Sequence, residues 1–144
     1  MSAESDTYLA RDLSVSAMRL NRRLRLRHVN DRIPVAQLSI LTTIFREGSL
    51  TAGELAVRER IKPPSISRSS HALVEMGLLK RVPHATDRRQ VVLTLTDEGR
   101  RVAGEDVAAR EKVLADQLGF LTPQQRTTLA EASNILIGIV ERVQ

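Results

Sequence analysis

The sequence predicts a mainly α fold with a small β-hairpin wing, because three features occur together along its 144 residues. Apolar residues recur at helical spacing over most of the chain, helix start and stop residues divide that pattern, and one region is rich in β-formers. That region contains "VVLTLT", residues 91–96, and it follows the polar loop "PHATDRR". We therefore expect helices on both sides of a single hairpin.

Two helices are predicted in the first third of the chain. The first covers residues 7–29, and its apolar stripe consists of Leu9, Leu13, Ala17, Leu20 and Leu24. Its other faces carry Arg19, Arg22, Arg23, Arg25 and Arg27. The second helix begins with Pro34 in its first turn and ends before Gly48, since proline suits a helix start and glycine suits the position after a helix end.

The middle of the chain predicts a short helix followed closely by a longer one. Thr51 and Glu54 match the Thr-x-x-Glu capping box that begins a helix. Pro63 and Pro64 are tolerated only in a first helical turn, so they mark the next start, and Gly77 marks its end. This pair of helices indicates a helix-turn-helix.

The two β-like runs that follow are Leu78–Val82 and Gln90–Leu95. Two such strands joined by a polar loop of this length predict a hairpin with the shape of a wing. Together with the preceding helices, the hairpin predicts a winged helix-turn-helix.

Two long helices complete the predicted fold. Thr96 N-caps the first, which ends near Gly119, and Thr122, Pro123 and Gln125 begin the second. The first helix of the chain and these last two carry apolar stripes far from the middle module. A symmetric dimer is the simplest partner for these stripes, so we expect N- and C-terminal dimerisation helices; packing on the chain's own central domain is the alternative.

Composition excludes several classes of protein. No run of eighteen uncharged apolar residues exists, and the N-terminus lacks the apolar segment of a secretory signal, so we expect a cytoplasmic protein. Without cysteine there is no disulfide, thiolate metal site or thiol redox sensor. The net charge of +5 suits a nucleic-acid partner, although many soluble proteins are equally basic. An aromatic content of 2% is low for base stacking, which favours double-stranded DNA over single strands or RNA.

The second helix of the predicted helix-turn-helix carries candidate DNA contacts. In this arrangement it lies in the major groove, and its early residues reach base edges. Ser65, Ser67 and Ser69 permit close approach and offer hydroxyls, and Arg68 can bond a guanine through both ends of its guanidinium. For any one serine, a solvated surface position is the better interpretation. For the whole set beside a basic hairpin, contact with DNA is the better interpretation.

The predicted hairpin tip carries Arg88 and Arg89, which can enter the narrow minor groove, where the negative potential favours arginine. Asp87 could hold a neighbouring guanidinium through charge-assisted hydrogen bonds and so order it before binding. The alternative is a surface salt bridge in a polar turn, worth at most about 1 kcal/mol.

The chain resembles the MarR family (multiple antibiotic resistance regulators) of bacterial winged-helix transcription factors. The most specific part is "DRRQVVLTLTDEG", which is similar to the family's wing signature of Asp-x-Arg, then Val-x-Leu-Thr, then Gly. The segments "LTAGELA" and "SISRSSHALVEMGLLKR" are similar to the family's helix-turn-helix and first wing strand. The resemblance covers nearly the whole length.

The resemblance implies an obligate dimer whose interface is built from the first and last helices. It implies that Asp87 orients Arg89, which enters the minor groove, while the role of Arg88 stays open. The residues it places on the major-groove face are Ser65, Ser67 and Arg68, with His71 at the edge. The double proline at Pro63 and Pro64 departs from the usual pattern.

Members of the family typically repress genes, and many release DNA when a small phenolic or other anionic effector binds between the dimerisation helices and the winged module. Arg19, Arg22 and Arg23 could face such a pocket, although a solvated or DNA-facing surface is the preferred interpretation. No cofactor is expected. No metal site is expected either, because the histidines are scattered and lack a nearby ligand at suitable spacing; they are His28, His71 and His84.

Residues 1–144 are thus expected to form one MarR-like domain, with the winged module at residues 33–96 and dimerisation helices at 1–32 and 97–144. An enzyme is not expected, because a phosphate-binding glycine loop, a dinucleotide fingerprint and a nucleophile elbow are all missing from the sequence. The expected function is a homodimeric, ligand-responsive repressor that binds a pseudo-palindromic operator. The alternative is a winged-helix dimer that serves as a protein-interaction scaffold without specific DNA binding.

Overall fold

The computed structural model describes residues 3–25 and 31–143. In these ranges the chain forms six α-helices and one small antiparallel sheet. The helices are α1 (Ala3–Arg25), α2 (Val35–Glu47), α3 (Ala52–Glu59), α4 (Pro63–Glu75), α5 (Asp97–Leu118) and α6 (Pro123–Val143). The strands are β1 (Leu50–Thr51), β2 (Leu79–Pro83) and β3 (Val91–Leu95). The predicted mainly α fold with a small hairpin is confirmed.

The backbone forms two compact units, Met1–Arg110 and Glu111–Gln144. The first unit contains α1 to α4, the sheet and the larger part of α5. The second contains the C-terminal end of α5 and all of α6.

Several helices begin where their capping residues predict. At α3 the Thr51 hydroxyl accepts a hydrogen bond from the Glu54 N–H (3.2 Å), and the Glu54 carboxylate accepts one from the Thr51 N–H (2.7 Å). The start of α6 has the same reciprocal pair between Thr122 and Gln125, at 3.2 and 2.9 Å. Each pair satisfies two backbone donors that a helix start otherwise leaves without partners.

Two helix boundaries differ from the sequence predictions. α1 begins at Ala3 rather than at residue 7, because Glu4 and Asp6 lie in its first turn, where acidic side chains interact favourably with the positive helix end. Its predicted continuation to residue 29 lies outside the described residues. Pro34 is the N-cap of α2 rather than a first-turn residue, since its ψ of 141° is extended.

Strand β2 is shifted by one residue from its predicted bounds, while β3 begins one residue later than predicted and ends at Leu95 as predicted. Leu78 does not begin β2, because its N–H closes the end of α4 by donating to Leu73 O (2.9 Å). Strand β1 is an addition to the prediction, and two residues are too few to show an alternating pattern in sequence. The strand order is β1-β3-β2, with Leu50 opposite Leu93 and Leu79 opposite Leu95.

The core of the first unit is formed by apolar side chains from α2, α3, α4, α5 and the sheet. Its fully buried members include Leu38, Leu41, Leu55, Ile66 and Leu73. Because Ile66 and Leu73 hold one side of α4 against this core, the opposite side of the helix faces solvent.

The start of α5 docks on the turn between α4 and β2. The Thr96 hydroxyl donates to Gly77 O (2.6 Å) and accepts from the Gly99 N–H (3.0 Å), while the Thr96 N–H donates to Leu78 O (3.1 Å). A Cβ placed on Gly99 would lie 1.9 Å from the Leu78 carbonyl oxygen. The close approach therefore requires glycine at this position.

Candidate nucleic-acid interface

The solvent side of α4 carries the predicted major-groove residues. Its exposed members are Ser65, Ser67, Arg68 and His71, and Ser69 is half-buried. The opposite side is buried and consists of Ile66, Ser70 and Leu73. Residues three and four apart share a helix face, so Ser67, Arg68 and His71 form one exposed stripe. The structure thus brings these predicted residues onto one surface, with Ser69 at its margin.

A left-handed residue forms the turn of the helix-turn-helix. Arg60 follows α3 with φ 53° and ψ 40°, a conformation that costs a non-glycine residue about 1–2 kcal/mol. Its N–H donates to Val57 O, and the Ile61 N–H donates to Ala56 O. The chain reverses within these few residues, which allows α4 to begin at Pro63.

His71 has a partner within α4. Its Nε2 lies 3.4 Å from Glu75 Oε1, one helical turn further along. The contact becomes an ion pair when the imidazole is protonated. His71 therefore lies at the edge of the α4 stripe with its ring already engaged, unlike Arg68.

A network of hydrogen bonds builds the loop between β2 and β3. His84 Nδ1 accepts from the N–H groups of Thr86 and Asp87, both at 3.3 Å. The Asp87 carboxylate accepts from the Arg89 backbone N–H (3.0 Å) and from Gln90 Nε2 (3.2 Å). The Gln90 N–H donates to Asp87 O (3.0 Å). These bonds, here called the wing clasp, define the loop conformation.

The wing clasp shows which groups the Asp87 carboxylate contacts in this structure. Its carboxylate contacts the backbone of Arg89 and the amide of Gln90, and no guanidinium donates to it within residues 3–25 and 31–143. Asp87 fits an Asx-type turn, in which the side chain bonds the backbone two residues on. It fixes the backbone position from which the Arg89 side chain leaves the loop, and its orientation of that side chain in a DNA complex stays a prediction.

The guanidinium groups at the tip have no protein partners. Arg88 and Arg89 are both exposed, and neither side chain forms a hydrogen bond or ion pair with any part of the chain that the structure describes. Arg68 on α4 is likewise exposed and uncompensated. The winged module therefore presents free cations on two separate elements.

A chain of polar contacts connects three helices of the first unit. Arg25 Nη2 donates to Ser39 Oγ (3.2 Å), and the Ser39 hydroxyl donates to Glu59 Oε2 (2.7 Å). Thr43 Oγ1 donates to the other oxygen of Glu59 (2.5 Å). The end of α1 is thus joined through α2 to the end of α3, the first helix of the helix-turn-helix.

A buried ion pair lies in α5 near this polar chain. Arg110 Nη2 is 2.5 Å from Asp106 Oδ2, and the Asp106 side chain is only 2% exposed. Burial lowers the pKa of the Arg110 guanidinium; Asp106 opposes this shift, while the positive charges of Arg25 and Arg46 add to it. Arg25 and Arg46 therefore lie close enough to Arg110 for their charges to act on it.

Two cavities adjoin α1. The larger, here called the α1 cavity, has a volume of about 590 Å³ and is lined by Arg19, Leu20, Arg22 and Arg23. The smaller, of about 430 Å³, is lined by Met18, Asn21, Arg22, Arg25 and Val35. All three arginines that the sequence suggested for an effector pocket thus line the α1 cavity.

Two other types of site are missing from the described parts of the chain. Residues 3–25 and 31–143 contain no group of three His, Asp or Glu side chains that could hold a metal ion. In the same residues, no helix combines the length and apolar character needed to cross a membrane.

Comparison with known proteins identifies the module. The sequence model of the MarR family matches residues 33–91, from the residue before Pro34 to the start of β3. An HTH-type transcriptional regulator of Mycobacterium bovis is 39% identical over 138 residues, which cover 96% of each protein. The chain belongs to the MarR family. The resemblance seen in the wing and helix-turn-helix segments is therefore confirmed.

Two further comparisons extend the MarR-family assignment. The HTH-type transcriptional repressor MdtR of Bacillus subtilis is 31% identical over 109 residues, which cover 76% of this chain and 68% of that protein. A solved structure of a transcriptional regulator protein from Pseudomonas aeruginosa has a TM-score of 0.83 and 30% identity, covering 97% of this chain and 98% of that chain. A MarR-family protein with this fold is a DNA-binding transcriptional regulator, and these relatives are regulators rather than enzymes.

Sequence reasoning overlooked two residues of the interface, His84 and Gln90. Both belong to the wing clasp, and neither is one of the fixed residues of the family signature that drew attention to the wing. For His84 the signal is local, because its Nδ1 accepts from the N–H groups two and three residues further along the chain. For Gln90 the signal is a side-chain donor three residues after Asp87.

Proposed function

We propose that this protein is a homodimeric repressor that binds a pseudo-palindromic operator with α4 in the major groove and the β2–β3 tip in the minor groove. The observation that carries the proposal is the pair of uncompensated cationic surfaces on one module, Arg68 on α4 and Arg88 with Arg89 at the tip. In winged-helix proteins a rigid core positions such side chains over two adjacent grooves. Repression is supported by the similarity to MdtR, whose name describes a repressor.

The residues proposed to contact or position DNA keep distinct roles. On α4, Arg68 reads a base edge, and the exposed Ser65 and Ser67 contact phosphates or bases. Ser69 and His71 lie at the margins of this surface. At the tip, Arg89 enters the minor groove, Asp87 fixes its backbone, and Arg88 contributes positive charge.

Homodimerisation is proposed from the apolar faces of α1 and α6. On α1 the exposed apolar side chains are Tyr8, Leu9, Leu13, Met18 and Leu20. On α6 they include Leu129, Ile135, Leu136, Ile139 and Val140. Apolar surface of this extent usually marks a protein interface, and a second copy of the chain is the symmetric solution. Such a regulator works in the cytoplasm, where its DNA is.

The DNA-binding proposal is tested by selecting a duplex from random sequence with the full-length protein and measuring affinity across salt concentrations. A specific duplex should be enriched, and the slope against salt should reflect several released counterions. Arg89→Ala should weaken binding at least about ten-fold while leaving the melting temperature unchanged, because the exposed guanidinium forms no hydrogen bond or ion pair with residues 3–25 and 31–143. Arg68→Ala should reduce discrimination between selected and random DNA more than non-specific binding.

A different set of results would support a protein-interaction scaffold instead. In that case no duplex would be enriched, and the protein would bind all DNA equally weakly.

The two variants also test the roles of the single arginines. Equal losses for selected and random DNA with Arg68→Ala would make Arg68 a phosphate contact. Unchanged affinity with Arg89→Ala would exclude the tip from the groove.

We further propose that a small anionic effector of the phenolic type binds in the α1 cavity and weakens operator affinity. The cavity is lined by three arginines with one apolar neighbour, Leu20, which suits an aromatic acid. Salicylate, used as the probe, should reduce operator affinity in the wild type and lose potency with Arg22→Gln. Arg11→Gln, a matched change on α1 outside the cavity lining, should respond like the wild type. Equal potency in both variants would rule out the α1 cavity.

A further inference from the structure

Two adjacent prolines begin the helix that is proposed to read DNA. Pro63 and Pro64 are the first residues of α4, and both are exposed. Proline has no N–H, and the N–H groups of Ser65 and Ile66 both bond Lys62 O, at 2.9 and 3.3 Å. Residues 63–66 therefore leave no free backbone donor, so the first turn of α4 cannot bind a phosphate through its amides as many helix starts do.

The position of Pro64 places its ring among the proposed DNA contacts. Residues three and four apart lie on one helix face, so Pro64 shares a face with Ser67 and Arg68. Ile66, which is 0% exposed, holds the other side of this turn in the core. Pro64 is therefore the first member of the α4 stripe, at the N-terminal end that approaches base edges most closely in helix-turn-helix proteins.

The chemistry of the proline rings selects one feature of the major groove. A pyrrolidine ring presents only CH₂ groups, with no donor or acceptor. Among the base pairs, the one apolar group at the major-groove edge is the C5-methyl group of thymine. A ring placed against a phosphate instead would displace water without replacing its hydrogen bonds.

We propose that Pro64, together with Pro63, is a specificity-determining element that reads thymine methyl groups in each operator half-site. The inference rests on the proposed function, because it requires α4 to lie in the major groove. The proposed proline contact differs from the predicted serine and arginine contacts, because it selects A·T pairs through an apolar group. The double proline thus exchanges a sequence-independent phosphate contact for a sequence-dependent base contact.

Replacing thymine by deoxyuridine tests the proposal, because it removes only the methyl group and keeps every hydrogen-bonding group of the base. Full-length protein is first used to select a duplex, and each thymine is then replaced in turn, with affinity measured by fluorescence anisotropy. At one or two positions per half-site, loss of the methyl group should weaken wild-type binding about three- to five-fold, the value for one buried carbon.

Two variants identify the side chain that senses the methyl group. Pro64→Ser should bind the thymine and deoxyuridine duplexes equally well at those positions. Pro123→Ser makes the same change at the first residue of α6 and should keep the wild-type preference. A preference that survives in Pro64→Ser, or its absence in the wild type at every position, overturns the inference. If no duplex is enriched, both the inference and the proposed function fail, whereas an enriched duplex without methyl dependence overturns the inference alone.

Discussion

At the scale of single residues, Asp87 illustrates how a charged side chain can act through the backbone. Sequence reasoning placed its carboxylate on an arginine guanidinium, which is the stronger pairing of isolated groups. In the folded loop the carboxylate instead bonds the Arg89 N–H and the Gln90 side chain. An exposed guanidinium loses little by remaining in water, whereas a turn needs its backbone donors satisfied. The sequence therefore identifies the residue but not its partner.

This reassignment predicts different results for two substitutions of Asp87. Asp87→Asn retains an oxygen that can accept from the Arg89 N–H, so operator affinity should stay within about two- to three-fold of wild type. Asp87→Ala removes the hydrogen bonds from the Arg89 N–H and from Gln90 Nε2, both exposed, and should lower affinity about five- to ten-fold. Anisotropy on a selected duplex measures both. Equal losses for the two variants would show that the negative charge itself is needed.

At the scale of elements, the helix starts capped by threonine were the most predictable part of the fold. The capping residues at Thr51, Thr96 and Thr122 act within three residues, so their geometry follows from local sequence. Strand β1, by contrast, depends on β3, a partner that only the folded chain brings beside it. The need for glycine at position 99, in the wing signature, likewise follows only from the folded chain, because it results from the close approach of Gly99 to Leu78.

The docking of α5 predicts a large cost for one added methyl group. Gly99→Ala forces a Cβ onto the Leu78 carbonyl and should lower the free energy of unfolding by about 2–3 kcal/mol. Gly104→Ala in the same helix is the matched control, because its Cβ would lie 3.5 Å from the Phe45 ring, an ordinary contact. The control should be neutral or stabilising by up to about 1 kcal/mol. Urea unfolding measures the stability of both variants, and similar unfolding midpoints would disprove the backbone clash at Gly99.

The capping box of α3 predicts a pH dependence of stability. The Thr51 N–H and then its hydroxyl lower the pKa of Glu54 below its ordinary value of 4.5, against a small opposing effect of burial. A carboxyl whose pKa is lowered by folding stabilises the native state above its unfolded-state pKa, and this contribution is lost as pH falls through the folded-state pKa. Glu54→Gln keeps the acceptor but cannot titrate. Its urea midpoint should therefore fall less than that of wild type on acidification below about pH 4.5, and parallel profiles would contradict this.

At the scale of the whole molecule, the free cations and the unburied apolar helices require two different partners. Arg68, Arg88 and Arg89 of the winged module have no acidic partners among residues 3–25 and 31–143, which suits DNA. None of the described residues of α6 is buried, although the helix carries many large apolar side chains. Sequence periodicity predicted that apolar stripe, but a period does not identify what covers it. The proposed dimer would bury the apolar helices, and pairing two modules would also match the two half-sites of a palindromic DNA site.

The proposed dimer can be disrupted by one charge on the apolar face of α6. Leu136→Glu should shift the protein from twice the chain mass to the chain mass in sedimentation equilibrium, because the interface would have to bury an unpaired carboxylate. Asn134→Glu adds the same charge on the opposite face of α6 and should leave the dimer intact. Since two linked modules bind two half-sites with far greater avidity than one, operator affinity should fall at least about 100-fold with Leu136→Glu. A dimeric Leu136→Glu variant would exclude this face of α6 from the interface, and a monomeric variant with unchanged affinity would show that one module is sufficient for operator binding.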